Sequence, residues 1–331
     1  MSTIFLTGAT GFIGGHLLKA LVTEGAKVRC LVRRSSSRRN LQGLPVEEVE
    51  ADLRAPDLLR EVMTGCDLVF HCAADYRLYA RDKSELYDTN VEGTRNILRI
   101  AADTGVRRVV YTSSVGALGL HPDGTPANES TPVTLKDMVG HYKRSKFLAE
   151  RVADEWVAKG LPVVIVNPST PVGEGDLKPT ATGKMIVDFL KGKVPGYVDT
   201  GLNLVDVRDV AQGHLLAAQK GKVGEKYILG NRNMPLKEIF ETLADISGLP
   251  APKLEFPHWL PMGVAAVETT FCRLTGLQPR VPLESVKLSR HKMYFDGSKA
   301  VGELGMPQTP VEEALRRAVD WFRVNNYVSR K

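Results

Sequence analysis

Short apolar segments alternate with helix-like segments through the first half of the chain, and this alternation restricts the fold more than any other feature. The segments rich in Val, Ile and Leu span residues 4–8, 27–32, 45–51, 67–74, 107–114 and 161–168. Helical patterns, such as those at 12–25 and 84–105, separate several of them. This order is typical of βαβ units that bury a parallel sheet. With right-handed crossovers, it predicts an α/β fold with a Rossmann-like, doubly wound parallel sheet.

The second half of the chain has a different rhythm. Glycine, proline and short elements dominate residues 168–205, and mixed helical patterns follow, including those at 236–248 and 311–324. We expect a smaller, partly interleaved C-terminal lobe that closes over the strand ends. The predicted division is a nucleotide-binding domain at 1–168, to which some later segments return, and a mainly substrate-binding lobe at 169–331.

The composition indicates an ordinary globular protein. Hydrophobic residues make up 43% of the 331 residues and charged residues 25%, near the globular average. The 44 basic side chains are nearly balanced by 38 acidic ones, so a nucleic-acid-binding surface is not expected. No apolar run reaches the roughly 18 residues of a transmembrane span. The chain opens directly into a strand without room for a leader peptide, and we expect a cytoplasmic protein.

The cysteines and histidines do not form a metal-binding pattern. The four cysteines include no CxxC pair and have no histidines at ligand spacing, which predicts reduced, buried thiols. His121, His141 and His214 have no ligand-like partners in the sequence, so no metal is expected. His71 lies in a predicted core strand and is expected to be packed rather than catalytic.

The segment TGATGFIGG joins the first predicted strand to the first helix and carries a glycine triplet. Gly8, Gly11 and Gly14 allow a tight turn and a close approach to a pyrophosphate, whose charge a helix N-terminus favours. The spacing is GxxGxxG rather than the GxGxxG fingerprint, but strand, loop and helix follow in the required order. The loop is therefore predicted to bind a dinucleotide cofactor. Its other candidate binding residues are Thr10, Phe12 and Ile13.

Five arginines fall between residues 29 and 39, where the second predicted strand ends. Folds that bind NAD usually carry Asp or Glu about twenty residues after the glycine loop, for the adenosine ribose hydroxyls. This chain has Arg33 and Arg34 there instead, and a guanidinium binds a 2′-phosphate that a carboxylate would repel. Arg33 therefore predicts NADP, with NAD as the alternative. A solvated arginine-rich loop is the other interpretation, and it suits Arg38 and Arg39 better than Arg33.

The predicted helix at residues 141–160 places Tyr142 and Lys146 four residues apart on one face. A phenol has a pKa of about 10 in water, and a nearby ammonium and an oxidised nicotinamide would both favour the phenolate. Tyr142 is therefore the candidate catalytic acid/base, with Lys146 as its partner and as a ligand of the nicotinamide ribose. Ser114, at the end of the fifth predicted strand, is expected to donate a hydrogen bond to the substrate oxygen.

Six motifs along the chain resemble those of the extended short-chain dehydrogenase/reductase superfamily, the NAD-dependent epimerase/dehydratase family. They occur in the family's order over nearly the whole chain: TGATGFIGG, FHCAA, TNVEGT, YTSSVGALG, YKRSK and NLVDVRDVA. Within the superfamily, the chain is similar to the dihydroflavonol-4-reductase-like branch. The run from residue 167 to residue 214 looks particularly like the bacterial group of hopanoid-associated sugar epimerases.

The resemblance implies a role for each matching position. Ser114, Tyr142 and Lys146 match the catalytic residues. Asn90 resembles a position that supports the active site, although helix packing explains it equally well. The resemblance also implies a homodimer formed through the helices around 84–103 and 140–158. The remaining cofactor contacts that it implies are Asp52 and Leu53 at the adenine, Ala73 and Ala74 at the adenosine ribose and pyrophosphate, and Pro168 and Ser169 at the nicotinamide.

Two positions depart from the sugar-nucleotide members of the superfamily. Many of those members have Arg-Pro where this chain has Asn167-Pro168, and many have an acidic residue where Arg33 stands. We therefore expect an NADP-dependent reductase acting on a carbonyl or alcohol of a small molecule. An NAD-dependent nucleotide-sugar epimerase is the alternative. A catalytically silent nucleotide sensor is the third hypothesis, and the intact Ser114, Tyr142 and Lys146 oppose it.

Two further groups have more modest interpretations. Asp206 and Asp209 match a family segment and are expected to cap and orient the helix that follows them. The apolar stretch around Trp259, Met262 and Phe271 is either ordinary core or the wall of a lipophilic substrate pocket.

Overall fold

The computed structural model describes residues 2–79, 82–275, 277 and 283–328. The strands in these ranges are β1 (Thr3–Thr7), β2 (Lys27–Val32), β3 (Glu47–Glu50), β4 (Leu68–His71), β5 (Arg108–Thr112), β6 (Val163–Pro168), β7 (Thr170–Val172), β8 (Gly196–Tyr197), β9 (Gly201–Asp206), β10 (Lys226–Leu229), β11 (Arg232–Pro235) and β12 (Leu254–Glu255).

The α-helices alternate with the strands through the first half and dominate the second. They are α1 (Phe12–Thr23), α2 (Pro56–Met63), α3 (Ser84–Tyr87), α4 (Gly93–Asp103), α5 (Gly140–Ala158), α6 (Ala181–Leu190), α7 (Val207–Lys220), α8 (Leu236–Ser247), α9 (Trp259–Thr275), α10 (Leu283–Leu288) and α11 (Val311–Val324). A π-helical segment, Asp88–Glu92, joins α3 to α4. Within the described ranges, none of the helices is long and apolar enough to cross a membrane.

Seven strands form one parallel sheet in the order β10-β6-β5-β4-β1-β2-β3. At its centre, Leu6 of β1 lies level with Cys30 of β2 and Phe70 of β4. The central strands are apolar on both faces, so helices cover both sides and enclose two hydrophobic clusters. This arrangement confirms the predicted Rossmann-like, doubly wound sheet.

All six strands predicted in the first half are present, although the structure shortens most of them at the ends. The sequence did not predict the seventh strand, β10, which pairs in parallel with β6 at the edge of the sheet. The four residues KYIL carry too little periodicity to reveal a strand, and only their pairing with a distant segment makes one.

A smaller lobe follows β6 and has its own core. It contains the three-stranded sheet β11-β9-β7, the short pair β12-β8 and the helices α6, α8 and α11. Phe189 of α6 stacks on Phe240 of α8, with ring centroids 5.7 Å apart. Helix α7 returns to pack against α1, and β10 completes the large sheet. The partly interleaved lobe is therefore confirmed, whereas the functional division at residue 168 stays a prediction.

Candidate active site

The predicted site residues gather at the carboxyl edge of the large sheet. The glycine loop follows β1, Ala73 and Ala74 follow β4, and Ser114 follows β5. The strand order reverses between β1 and β4, because the chain runs outward through β2 and β3 and then returns to the other side of β1. Ligands of open α/β sheets bind in the crevice at such a switch point.

The glycine loop closes tightly between β1 and α1. Gly8 has a φ of +78°, a conformation that favours glycine, and the amide of Gly11 donates to the carbonyl of Gly8 at 2.9 Å. A Cβ on Gly14 would lie only 2.2 Å from that same carbonyl oxygen. Among the described residues, no side chain caps the N-terminus of α1. Its amide groups and positive dipole end are thus available to an anion.

The five clustered arginines have separate roles. Arg29 pairs with Glu47 at 2.8 Å, and Arg39 hydrogen-bonds Asn325. Arg38 donates to the carbonyl oxygens of Arg33 and Ser36, both at 2.7 Å, and therefore fixes the loop.

Arg33 and Arg34 differ from the other three arginines of the cluster. Both side chains are exposed, and across the described ranges neither forms a hydrogen bond or an ion pair. The nearby Asp52 forms an ion pair with Arg54, with 2.8 Å between Asp52 Oδ1 and Arg54 Nε. That contact and the charge of Arg33 hold the pKa of Asp52 below its usual range. The loop therefore presents two guanidinium groups that are free to bind an anion.

Ser114 and Tyr142 lie together beyond the end of β5. Ser114 precedes a short 3-10 turn, Val115–Ala117, and its Oγ accepts a hydrogen bond from the Gly116 amide at 3.0 Å. Tyr142 lies in the first turn of α5, and its phenol interacts with the Ser114 hydroxyl. Burial raises the pKa of Tyr142, and the Ser114 contact opposes this only in part. A protonated phenol beside a hydroxyl can donate a proton to a substrate oxygen.

Lys146 is buried, with 2% of its surface exposed. Its Nζ donates to the carbonyl oxygen of Thr112 at 2.8 Å and to the Tyr111 hydroxyl at 3.2 Å. Burial lowers the pKa of Lys146 to about 8, which leaves the amine largely charged at neutral pH. Within the described chain, Lys146 forms no hydrogen bond to Tyr142. In the protein alone, burial raises the pKa of Tyr142. The expectation that Lys146 and an oxidised nicotinamide together favour the phenolate stays a prediction.

A buried carboxylate that the sequence analysis missed connects these elements. Glu150 is fully buried on α5 and accepts hydrogen bonds from Ser113 Oγ at 2.5 Å and Asn167 Nδ2 at 2.8 Å. Lys226 of β10 supplies a cation at 2.7 Å. Glu150 follows Lys146 by four residues, so helical spacing was the signal that could have identified it.

Two buried polar atoms near the carboxyl end of β6 have no partner among the described residues. They are Oδ1 of Asn167 and Oγ of Ser169, at the end of β6 and just beyond it. A buried acceptor or hydroxyl without a partner costs about 1–3 kcal/mol, so such atoms indicate a missing partner. Ser169 is one of the predicted nicotinamide contacts. The exposed arginines, the uncapped helix and this hydroxyl together fit a phosphate-bearing dinucleotide.

Three further polar residues are buried and hydrogen-bonded, of which His71 is packed as predicted, while both interpretations of Asn90 stay open. The ring nitrogens of His71 meet the hydroxyls of Thr7 at 2.8 Å and Thr94 at 3.0 Å, and the ring is fully buried. Asn90, in the π-helical segment, donates to Ser145 Oγ at 2.9 Å and so connects α4 to the helix of Tyr142. Asp206 accepts from the Arg208 amide at 2.9 Å, which confirms its capping role.

The remaining predictions have mixed outcomes. All four cysteines are free, and three of them are buried. The described residues contain no cluster that could hold a metal ion. Trp259 is 70% exposed and Phe271 57% exposed, so ordinary core is the wrong interpretation for both. The alternative, that their helix α9 borders a lipophilic substrate, stays a prediction.

Comparisons with known proteins identify the family to which the chain belongs. Residues 4–230 match the NAD dependent epimerase/dehydratase family. A Synechocystis protein named "Putative dihydroflavonol 4-reductase" is 49% identical over 98% of this chain and 95% of its own length. Sterol demethylase protein B of Methylococcus capsulatus is 36% identical over 97% of this chain and 98% of its own length. The crystal structure of gox2253 is 43% identical, with a TM-score of 0.89 and coverage of 99% of this chain and 100% of its own.

The fold and the matching family model define a member of a family of NAD-dependent enzymes with a Rossmann fold. The chain belongs to the NAD-dependent epimerase/dehydratase family, the extended short-chain dehydrogenases/reductases, and its relatives include the dihydroflavonol-reductase-like branch. The resemblance stated from sequence motifs is thereby confirmed.

Proposed function

We propose that the protein is an NADP-dependent reductase that converts a carbonyl group of a small molecule to an alcohol, or the reverse. The contact between Ser114 and a protonated Tyr142, at the carboxyl edge of β5, is the observation that supports this most directly. An acid that stays neutral beside a second hydroxyl is suited to carbonyl reduction, because the developing alkoxide needs a proton.

The residues of the site would divide the work. When bound, NADP(H) supplies or accepts the hydride. Ser114 holds the substrate oxygen, and Tyr142 donates the proton to that oxygen. Lys146, held at the Thr112 carbonyl, places a positive charge under the site that stabilises the phenolate left behind. Asn90 and Glu150 position the helix and strand that carry these groups.

The same edge of the sheet holds the proposed cofactor contacts. The uncapped start of α1, with Gly8, Gly11 and Gly14, would receive the pyrophosphate. Arg33 would bind the 2′-phosphate, since its guanidinium is exposed and without a partner in the described chain. The proposed contacts at the other groups of the cofactor are Thr10, Phe12, Ile13, Asp52, Leu53, Ala73, Ala74, Pro168 and Ser169.

We also propose that the lobe at 169–331 selects a lipophilic substrate connected with hopanoid or other isoprenoid metabolism. The subgroup resemblance supports this, as does the name of the Methylococcus capsulatus relative, which refers to a sterol. The exposed apolar face of α9 lies in the same lobe. A homodimer through the helices at 84–103 and 140–158 remains part of the proposal, and sedimentation would test it.

The test compares NADPH with NADH. The nucleotide released on denaturing the purified protein is identified first, and both cofactors are then titrated by nicotinamide fluorescence. A clear preference for exchangeable NADPH, together with its consumption by added ketones, is the expected result. Retained NAD without a preference for NADPH would overturn the proposal and favour the epimerase, which returns its nicotinamide unchanged.

A further inference from the structure

Lys143, the residue after Tyr142, is a buried cation to which no described residue supplies a counter-ion. Only 7% of its surface is exposed, and within the described ranges its Nζ has a single hydrogen-bond contact, the thioether of Met293 at 3.4 Å. The described residues include every aspartate and glutamate side chain of the protein, and none of them pairs with Lys143. A thioether is a weak acceptor and cannot balance an ammonium charge.

The side chain lies beside the proposed catalytic hydroxyl. A Cβ on Gly116 would fall 3.2 Å from Ser114 Oγ and 3.5 Å from Lys143 Cγ, so both side chains lie close to Gly116. Met293, on the other side of Nζ, donates its amide to Gly201 of the smaller lobe at 2.8 Å. Lys143 thus lies where the two lobes meet, on the Ser114 side of Tyr142.

This position is unfavourable for an unpaired cation. Taking a charged group out of water without a partner is unfavourable, and here burial lowers the pKa of Lys143 to about 8. Lys143 also lies in the first turn of α5, where the helix dipole favours negative charge. A bound anion would satisfy both the ammonium and the helix end.

We propose that Lys143 binds a carboxylate of the substrate, so that the protein reduces apolar oxo acids in preference to neutral ketones. This inference rests on the proposed reductase function. A single ammonium matches one carboxylate better than a phosphate, which usually gathers several donors. Met293 packs against a buried apolar cluster that includes Val115, Leu118 and Phe295, so the surroundings of Lys143 Nζ are apolar.

The experiment uses matched pairs of probes, namely the 3-, 4- and 5-oxodecanoates and their methyl esters. The wild-type protein with NADPH should have a kcat/KM roughly tenfold to hundredfold higher for at least one acid than for its ester, the usual effect of a hydrogen bond to a charged group. Lys143→Met should abolish that ratio, mainly through KM for the acid. Lys143→Arg should restore part of it. Lys136→Met, which changes an exposed lysine near the same helix, should keep the wild-type ratio.

Binding separates this inference from the proposed function. Calorimetric titration with the same acids is carried out on the wild-type and Lys143→Met proteins saturated with NADP. Binding that depends on Lys143, without reduction of any probe, would support the carboxylate site and overturn the reductase. Reduction with an acid-to-ester ratio that Lys143→Met leaves unchanged would overturn the carboxylate site and support the reductase. An equal loss of kcat/KM for acid and ester in Lys143→Met would also overturn the carboxylate site, since that result indicates a structural role.

Discussion

The side-chain amide of Asn167 donates a hydrogen bond to the carboxylate of Glu150 at 2.8 Å. The same nitrogen also donates to the backbone carbonyl of Ser114 at 3.1 Å. A buried carboxylate on the helix of Tyr142 therefore reaches, through one amide, the backbone of the residue that contacts the Tyr142 phenol. Buried polar bonds, in addition to helix–sheet packing, set the relative position of the two proposed catalytic side chains.

Glu150→Gln should lower the free energy of unfolding by about 3 kcal/mol or more, as expected when one partner of a buried ion pair is removed. Lys226 loses its nearest counter-ion, and an amide NH₂ would face the donors that now bind the carboxylate. Urea denaturation measures the change. The control is Glu155→Gln on the same helix, whose pair with Arg95 is exposed and contributes less than about 1 kcal/mol. If both variants lost similarly little free energy of unfolding, Glu150 would not stabilise the fold as a buried ion-pair partner.

The sequence was sufficient for the large sheet because its strands are continuous apolar runs and its helices are strongly periodic. The helical pattern at 236–248 became Leu236–Ser247, and that at 311–324 became Val311–Val324. Strand β10 was missed because a short edge strand is defined by its distant partner β6. Trp259 and Phe271 were ambiguous because apolar residues on a helix do not reveal whether another element covers them.

In the candidate site too, the sequence predicted the positions of residues but not their contacts with residues far apart in the chain. Motif spacing predicted Ser114 after a strand and Tyr142 on a helix, and the structure has both residues there, whereas their roles stay predictions. Spacing could not show that Lys146 bonds the Thr112 carbonyl, or that no described residue supplies Lys143 with a counter-ion. These are properties of residues far apart in the chain, and only the folded structure brings them together.

Tyr142→Phe should reduce the rate of carbonyl reduction roughly a hundredfold to ten-thousandfold, the usual contribution of a positioned general acid. Affinity for NADPH should be preserved, because the ring remains in place. Since burial raises the pKa of Tyr142, the wild-type rate should not fall through loss of this proton between neutral and mildly alkaline pH. Steady-state kinetics and cofactor fluorescence provide the two measurements.

The control for that experiment is Tyr227→Phe, which removes a buried hydroxyl of β10 that bonds Glu303. Its turnover should match the wild type, although its stability should fall slightly. Full activity in Tyr142→Phe would show that another group supplies the proton.

Arg33→Ala should raise the dissociation constant for NADPH roughly tenfold to hundredfold and leave that for NADH unchanged. The guanidinium forms no hydrogen bond or ion pair with the described residues, so its removal should change the thermal midpoint little. Arg107→Ala is the matched control, because that side chain is 72% exposed just before β5 begins, at the opposite edge of the sheet. Equal weakening of NADPH and NADH by Arg33→Ala would exclude a 2′-phosphate contact.

Acid should destabilise the protein through two buried histidines. Burial lowers the pKa of His71 to about 3 and that of His214 to about 4, from 6.5 in the unfolded chain. Between these values, the unfolded state binds more protons than the folded state, so the free energy of unfolding falls as the pH falls. From about pH 7.5 to pH 5.5, each histidine should contribute a loss of about 1.4 kcal/mol.

Urea denaturation of the wild type and of His214→Gln at the two pH values isolates one of these contributions. The variant is expected to be less stable at neutral pH, because His214 bonds both Thr112 Oγ1 and the Val210 carbonyl. Its loss of stability on acidification should nevertheless be smaller than that of the wild type by about 1.4 kcal/mol, because one titrating group is gone. His121→Gln changes an exposed ring and should keep the full wild-type difference. If His214→Gln also loses as much stability on acidification as the wild type, His214 is not a source of the acid sensitivity.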